Sequence, residues 1–252
     1  MPVEKPIQFN VPGDAVKYIF FQRTQYLFYR SSKFMQWFHH TLPRFIAYPL
    51  ETLFTKFDGI VSIESQLRRK QVSHLFSEEM FSEYKQIEKY LPQNIHSILD
   101  IGSGVGGFDV LLNAHYAPKY PIFYLLDKTE MPGKVYYGLE KKASFYNSFS
   151  VTKDFLVKNG VPEKNIFVQE ANEKNTIDFD TKFDLIISLI SWGFHYPVET
   201  YLDEVYEKLS PGGILIMDIR KGFEGIEILR NKFGNLEIIY DATKHSRVVL
   251  KK

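Results

Sequence analysis

The chain has 252 residues, with 31 lysines and arginines against 30 aspartates and glutamates and a formal net charge of +1. This balance argues against a chain-wide attraction to nucleic acid, and a hydrophobic content of 44% excludes an extended disordered chain. Cysteine is absent, which excludes disulfides, thiolate nucleophiles and metal sites built on thiolates. Without a membrane-length apolar run or a signal-peptide pattern, we expect a cytoplasmic protein.

Helical patterns come first along the chain, and strands then alternate with helices. Residues 15–90 read mostly as helices, and within 76–91 Met80, Tyr84 and Ile87 recur at helical spacing. Beyond this region, helices are predicted at 108–116, 144–160 and 197–210. The predicted strands cover residues 97–102, 121–127, 165–170, 183–190, 214–219, 236–241 and 246–251. The alternation predicts an α/β fold with a doubly wound, mostly parallel seven-stranded sheet.

A glycine-rich turn, LDIGSGVGG at residues 99–107, follows the first predicted strand. Gly102, Gly104 and Gly107 have the G-x-G-x-x-G spacing, which lets the backbone approach a nucleotide ligand closely. Asp127 ends the next strand, where a carboxylate can accept hydrogen bonds from a ribose diol. Asp100 lies within the first strand, where an acid suits a ligand that carries an ammonium better than one that carries a pyrophosphate.

Two nucleoside ligands therefore remain in competition, S-adenosylmethionine (SAM) and a nicotinamide dinucleotide. A nicotinamide dehydrogenase is disfavoured by the acid in the first strand and by Pro211-Gly212-Gly213 before the fifth strand. The closing pair of strands disfavours it further. We expect SAM.

Several segments together resemble the class I SAM-dependent methyltransferases. LDIGSGVGG resembles their first motif and YLLD at 124–127 the second, while VQEAN at 168–172 resembles the segment after the third strand, with Glu170 where Asp is usual. FDLIISLISWGFHY and LSPGGILIMDI resemble the fourth motif and the fifth strand. The resemblance implies a Rossmann-like methyltransferase fold with SAM as cofactor. It implies cofactor contacts from Asp100, Gly102, Ser103, Gly104, Gly107, Asp127, Lys128, Glu170, Ala171 and Ser188.

Residues 191–197, SWGFHYP, are expected to form a loop that follows the fourth strand at the ligand edge of the sheet. We predict that His195 is the general base for a hydroxyl acceptor, with Trp192 and Tyr196 shaping the pocket. A histidine that only fixes the loop and a tryptophan that only packs are the structural alternatives. No metal site is predicted.

The same segment is similar, more weakly, to bacterial candidate sugar O-methyltransferases. This similarity implies a saccharide acceptor, free or nucleotide-linked, in surface polysaccharide biosynthesis, and Arg220 could then contact a phosphate. The alternatives are a small-molecule N-methyltransferase and a SAM-binding partner subunit without catalysis. No nucleic-acid partner is expected, and a homodimer is left open.

Two domains are predicted. Residues 91–252 would bind SAM, and residues 1–90 would form an N-terminal helical cap that helps to bind the acceptor. Aromatic and basic residues are concentrated between residues 18 and 48. Their faces could stack on sugar rings, form a core or dimer interface, or, least expected, lie on an anionic membrane.

Overall fold

The computed structural model describes residues 2–27, 41, 43, 45–46, 58–129 and 147–252. Most of the aromatic segment at 18–48 and the first residues of the helix predicted at 144–160 lie outside this set. We number the helices and strands within the described residues.

The α-helices fall into an N-terminal group and a group that alternates with strands. They are α1 Gly13–Gln22, α2 Asp58–Leu67, α3 Arg69–Ile87, α4 Gly107–His115, α5 Phe149–Lys158, α6 Leu202–Lys208 and α7 Gly225–Phe233. Short 3₁₀ helices cover Thr24–Tyr26, Glu88–Tyr90, Glu163–Asn165 and Val198–Thr200. The helix predicted at 197–210 is therefore a 3₁₀ turn followed by α6, and α7 was not predicted.

Eight strands are present among the described residues. They are β1 Ser97–Ile101, β2 Ile122–Asp127, β3 Ile166–Glu170, β4 Phe183–Ser188, β5 Ser191–Tyr196, β6 Leu209–Arg220, β7 Leu236–Asp241 and β8 His245–Lys251. Seven of them form one sheet in the order β3-β2-β1-β4-β6-β8-β7. Pairs among β1, β2, β3, β4 and β6 are parallel, and β8 pairs antiparallel with both β6 and β7. The predicted mostly parallel seven-stranded sheet is confirmed.

Two strand predictions need correction at their ends. The fourth strand stops at Ser188, and residues 191–196, expected as a loop, form β5 instead. The fifth strand begins at Leu209, so the predicted Pro-Gly-Gly turn lies within it. The pairing register of β4 with β6 shifts between Phe183 and Leu185, and this irregularity accommodates the extra residues.

Alternating side chains of the central strands pack into two cores on opposite faces of the sheet. Ile98 lies in the core under α3, α4 and α5, whereas Leu99 lies in the core under α6 and α7. On β4, Leu185 and Ile186 divide in the same way. This period of two on strands buried on both faces explains why their sequences read as continuous apolar runs.

The N-terminal segment belongs to the first of these cores. The Phe9 ring meets the rings of Phe76 on α3 and Phe155 on α5 edge to face, at centroid distances of 5.7 and 5.6 Å. The Phe9 amide donates a hydrogen bond of 2.9 Å to the Ser77 hydroxyl. These contacts attach residues 2–27 to the sheet through α3 and α5, and the boundary between residues 90 and 91 stays a prediction.

A buried ion-pair cluster joins α3 to the carboxyl end of β6. Arg247 on β8 donates to Asp218 on β6 through Nε at 2.7 Å and Nη2 at 2.8 Å, and both side chains are almost completely buried. Arg247 also pairs with Glu83 and donates to Gln86 Oε1 at 3.1 Å, both on α3. The Asp218 carboxylate accepts the Ile190 amide at 3.1 Å as well, so this cluster fixes the turn between β4 and β5.

Replacing Arg247 with methionine should lower the free energy of unfolding by about 3–5 kcal/mol, because it leaves the Asp218 carboxylate buried without its cation. Arg230→Met is the matched control, since Arg230 forms an exposed pair with Glu227 and should cost less than about 1 kcal/mol. Urea unfolding of both variants measures the difference. Equal midpoints would show that the cluster does not stabilise the fold.

Candidate functional site

The glycine turn between β1 and α4 depends on backbone conformations that favour glycine. Gly102, Gly104 and Gly106 have φ values of +83°, +56° and +83°. A β-carbon on Gly102 would lie 1.9 Å from Ser191 Oγ, so the start of β5 packs directly on the turn. A β-carbon on Gly107 would lie 2.4 Å from Phe76 on α3. The turn is held from both sides by residues far away in sequence.

Asp127, at the end of β2, faces the turn. Its Oδ2 accepts the Gly104 amide at 2.8 Å and the Asn147 side-chain amide at 2.9 Å, and its Oδ1 accepts the Lys128 amide at 2.7 Å. Burial raises the pKa of Asp127 to about 6, against the effect of these donors. The group is therefore mostly ionised at pH 7. Since a carboxylate has about four acceptor positions, one position remains for a ribose hydroxyl in this arrangement.

Asn147 and Thr152 support Asp127, and sequence reasoning missed both. Asn147 is buried, and Thr152 Oγ1 lies 2.8 Å from both Asn147 Oδ1 and the Gly104 carbonyl oxygen. The two residues thus connect the start of α5 to the glycine turn. Asn147 falls inside the helix predicted at 144–160, and nothing local in the sequence shows that its side chain reaches Asp127.

The residues predicted around the adenine lie beside Asp127. The Ala171 amide donates to the Asp127 carbonyl oxygen at 2.7 Å, which places Ala171 next to the end of β2. Glu170 is exposed and accepts a hydrogen bond of 2.8 Å from the Thr129 hydroxyl. The Lys128 side chain is half-buried. These three residues are brought together with Asp127 at one edge of the sheet.

Asp100 and Asp109 form a buried carboxyl pair beneath the turn. Asp100 is 5% exposed at the end of β1, and Asp109 is completely buried in the first turn of α4. The Ser103 hydroxyl is also buried, and no partner for it lies within the described residues. Burial raises the pKa of Asp109 to about 8, and burial together with Asp109 and Asp127 raises the pKa of Asp100 well above its usual range. The sequence analysis missed Asp109.

Ser188 and Trp192 have structural partners. The Ser188 hydroxyl donates to the Ile101 carbonyl oxygen at 2.8 Å and accepts the Trp192 amide at 2.9 Å. Trp192 is completely buried, and its indole nitrogen donates to the Val198 carbonyl oxygen at 2.8 Å. This environment matches the packing alternative for Trp192, so we do not include it in the acceptor site proposed below.

β5 runs over the carboxyl end of the sheet. Its Ser191 contacts the glycine turn, and a β-carbon on Gly193 would lie 2.8 Å from the Asp218 carbonyl oxygen of β6. His195 and Tyr196 follow as half-buried side chains at its end. Burial and the charge of Asp127 raise the pKa of Tyr196, so its hydroxyl lies within electrostatic reach of that carboxylate.

Arg220 lies at the end of β6 beside β5. Its guanidinium stands over the Phe194 ring at 5.2 Å from the centroid, and the His245 ring meets the Phe194 ring edge to face, with 5.9 Å between the centroids. Arg220 is half-buried, so a charged donor is presented near the end of β5.

Two features are absent from the described ranges. No helix within these ranges is both long and apolar enough to cross a membrane. Within the same residues, no group of three histidines or acidic residues is arranged to hold a metal ion.

The residues present fit SAM on two structural observations. The glycine turn is a cradle whose positive-φ glycines bring backbone close to a ligand, and Asp127 keeps an acceptor position facing it. The buried Asp109 carboxyl and the orphaned Ser103 hydroxyl place unsatisfied polar groups at the same turn. Such groups suit the ammonium and hydroxyl donors of SAM.

No known protein family and no curated protein matches the chain. Among solved structures, it is similar to a candidate O-methyltransferase from Nostoc punctiforme PCC 73102, with 15% identity and a TM-score of 0.50 over 69% of this chain and 57% of that one. The likeness shows the fold, so the predicted Rossmann-like methyltransferase fold is confirmed. The chain spans little more than half of that protein.

Two further similar structures have TM-scores below 0.5. One is a Thermus thermophilus 16S rRNA N2 G1207 methyltransferase in complex with AdoMet and guanosine, with 13% identity over 69% of this chain and 42% of that one and a TM-score of 0.48. The other is a precorrin-6y C5,15-methyltransferase from Geobacter metallireducens GS-15, with 14% identity over 70% of this chain and 88% of that one and a TM-score of 0.46.

Gly102→Ala should destabilise the protein more than Gly160→Ala. Both glycines have positive φ, but a β-carbon meets nothing within 4 Å at Gly160 and collides with Ser191 at Gly102. We expect a loss of about 1–2 kcal/mol for Gly160→Ala from conformation alone, and at least that much again for Gly102→Ala. Urea unfolding measures both.

Adding Ser191→Gly to Gly102→Ala tests the cause, because it removes both colliding atoms, Oγ and Cβ. Stability should return toward that of Gly160→Ala. A double variant no more stable than Gly102→Ala alone would mean that the β5 contact does not constrain the turn.

Proposed function

We propose that the protein is a SAM-dependent methyltransferase that transfers a methyl group to a hydroxyl of a small polar acceptor. The observation that carries the proposal is the strand order, in which antiparallel β8 is inserted between β6 and β7. A doubly wound dinucleotide-binding sheet has a different order, 3-2-1-4-5-6. The glycine turn and Asp127 then form the nucleoside site at the carboxyl end of β1 and β2.

Asp127 would hold the ribose of SAM, and the backbone of the glycine turn would contact the rest of the nucleoside. Ala171 and Glu170 lie beside Asp127 in the place expected for the adenine. Lys128, half-buried, borders the same edge. Bound SAM supplies a methyl group on a positively charged sulfur, which makes that carbon open to attack by a nucleophile.

His195 would then act as the general base. An acceptor hydroxyl that gains a methyl group must lose its proton, and the imidazole of His195 accepts that proton at a ring nitrogen. Three features support this role: its half-buried position at the end of β5, the contact of β5 with the glycine turn through Ser191, and the proximity of Tyr196 to Asp127. Tyr196 would form part of the wall between the nucleoside and the acceptor.

The proposal also names a class of acceptor, a saccharide. A saccharide offers hydroxyls to His195 and ring faces to the aromatic side chains of β5, and Arg220 could bind the phosphate of a nucleotide-linked sugar. The predicted cap within residues 1–90 would complete the pocket. The alternatives are methyl transfer to an amine or to RNA, and SAM binding without catalysis. The acceptor screen described below distinguishes them.

Calorimetry should show that S-adenosylhomocysteine, the demethylated form of SAM, binds while NAD does not. Asp127→Asn should weaken this binding by about 10- to 100-fold, because it replaces a charged acceptor of the ribose with a neutral amide. Asp154→Asn, on the exposed surface of α5, is the control and should bind normally. Binding of NAD in place of the thioether nucleoside would contradict the proposal.

His195→Gln should reduce methyl transfer by about 10²- to 10⁴-fold and leave the affinity for S-adenosylhomocysteine within twofold, because it removes a proton acceptor and not a nucleoside contact. His96→Gln, an exposed histidine at the amino end of β1, is the control. Mass spectrometry after incubation with nucleotide sugars, simple glycosides, amines and RNA identifies the acceptor. Full turnover in His195→Gln would show that His195 is not the general base.

A further inference from the structure

Within the described residues, no cation acts on the carboxyl pair beneath the glycine turn. Asp100 lies at the end of β1 and Asp109 in the first turn of α4, and the two buried carboxyls are close enough for each to shift the pKa of the other. Apart from the Asp109 amide and the Asp100 carboxyl, no group of the described chain offers a hydrogen bond to the Asp109 oxygens. A β-carbon on Gly106 would lie 3.4 Å from Asp109 Oδ2, so this carboxyl lies directly against the turn.

The helices packed against the turn above the pair present apolar side chains to its glycines. α3 presents Phe76 and Met80 against Gly107, and α5 presents Leu156 against Gly106. Within the described residues, the only outside charge that acts on the pair is the negative charge of Asp127. The charge that reaches the pair from the rest of the described chain is therefore negative.

Two adjacent buried carboxyls cannot both be ionised at neutral pH without a cation, because burial and mutual repulsion both favour the protonated forms. The raised pKa values of Asp109, about 8, and of Asp100 agree with this geometry. The protein thus keeps at least one proton beneath the turn at pH 7. A cation placed next to the pair would stabilise the second carboxylate, and the pair could then lose this proton.

We propose that Asp100 and Asp109 share a proton beneath the glycine turn and release it when the ammonium of the cofactor's methionine end binds at the turn. The proposal rests on SAM being the ligand, and it assigns Asp109 a role in cofactor binding. The methionine end carries an ammonium and a carboxylate, so it brings no net charge; the ammonium placed next to the pair replaces the positive charge of the proton that leaves for the solvent. Cofactor binding and proton release are thereby coupled.

Calorimetry at pH 7 in buffers of different ionisation enthalpy counts the protons released on binding. S-adenosylhomocysteine should release about one proton per molecule bound. 5′-Methylthioadenosine, a nucleoside thioether that lacks the amino-acid end and therefore the ammonium, should release none. Equal proton release by the two ligands, or none by either, would overturn the proposal.

Asp109→Asn provides the matched variant. The amide keeps the shape of the side chain, donates to Asp100 and removes the repulsion of a second carboxyl, so the pKa of Asp100 falls, although burial still raises it, and less proton is left to release when the ligand binds. The dissociation constant of the wild-type protein for S-adenosylhomocysteine should fall by up to about tenfold more between pH 6 and pH 7 than that of Asp109→Asn. Asp127 and the ligand's own amine titrate in both proteins, so the difference between the proteins isolates the pair. Asp154→Asn should behave as wild type.

The outcomes separate the two proposals. If S-adenosylhomocysteine binds to wild type and Asp109→Asn with the same proton count and the same pH dependence, the shared proton is wrong while the SAM site stands. If neither thioether nucleoside binds to the wild-type protein, the proposed function is wrong, and the role proposed for the carboxyl pair is then wrong as well. The two-ligand comparison on the wild-type protein needs no variant, so a poorly folded variant does not remove the test.

Discussion

The hydrogen bond from the Gly104 amide to the Asp127 carboxylate joins the glycine turn to the end of β2, and the candidate site depends on it. This bond sets where the turn lies relative to the neighbouring strand and keeps an ionised acceptor facing it. Asn147 and Thr152 fix the same carboxylate and the same turn from α5. The candidate nucleoside site is therefore built by three elements that meet around one carboxylate, and its geometry requires all of them.

The proposed acceptor side, at β5, is tied to the proposed nucleoside side, at the glycine turn, by close packing. Gly102 leaves no room for a side chain because Ser191 already fills that space, so β5 cannot shift without moving the turn. Further along β5, Gly193 lies against β6, whose Asp218 is fixed by the buried Arg247. A strand held at both places can present His195 in a reproducible position relative to the glycine turn. This rigidity is what in-line transfer between two bound molecules requires.

Much of the fold could be predicted from the sequence because the central strands are buried on both faces. A run such as SILDI is short and almost continuously apolar, which is typical of a strand that is buried on both faces. The glycines after it mark the turn. β5 was expected as a loop because SWGFHY mixes a glycine with aromatic and polar residues, and its strand conformation comes from packing across the sheet edge. α7 was missed as well.

The nucleoside site was predicted from motifs, whereas its supporting residues were not. Asp109 reads as an ordinary polar residue at a helix start, and only the folded chain brings it beside Asp100. Asn147 and Arg247 have partners 20 and 29 residues away along the chain, and no local pattern reports such distances. Trp192 was predicted beside the acceptor, but its indole reaches the Val198 carbonyl inside the core. Motifs identify ligand-facing positions, and long-range packing decides how they are held.

A crystal structure of the protein with S-adenosylhomocysteine tests the central claim most directly. We expect a ribose hydroxyl within hydrogen-bond distance of Asp127, with the amino-acid end of the ligand over the turn that covers Asp100 and Asp109. A nucleoside bound elsewhere, with Asp127 still bonded only to Gly104, Asn147 and Lys128, would contradict it.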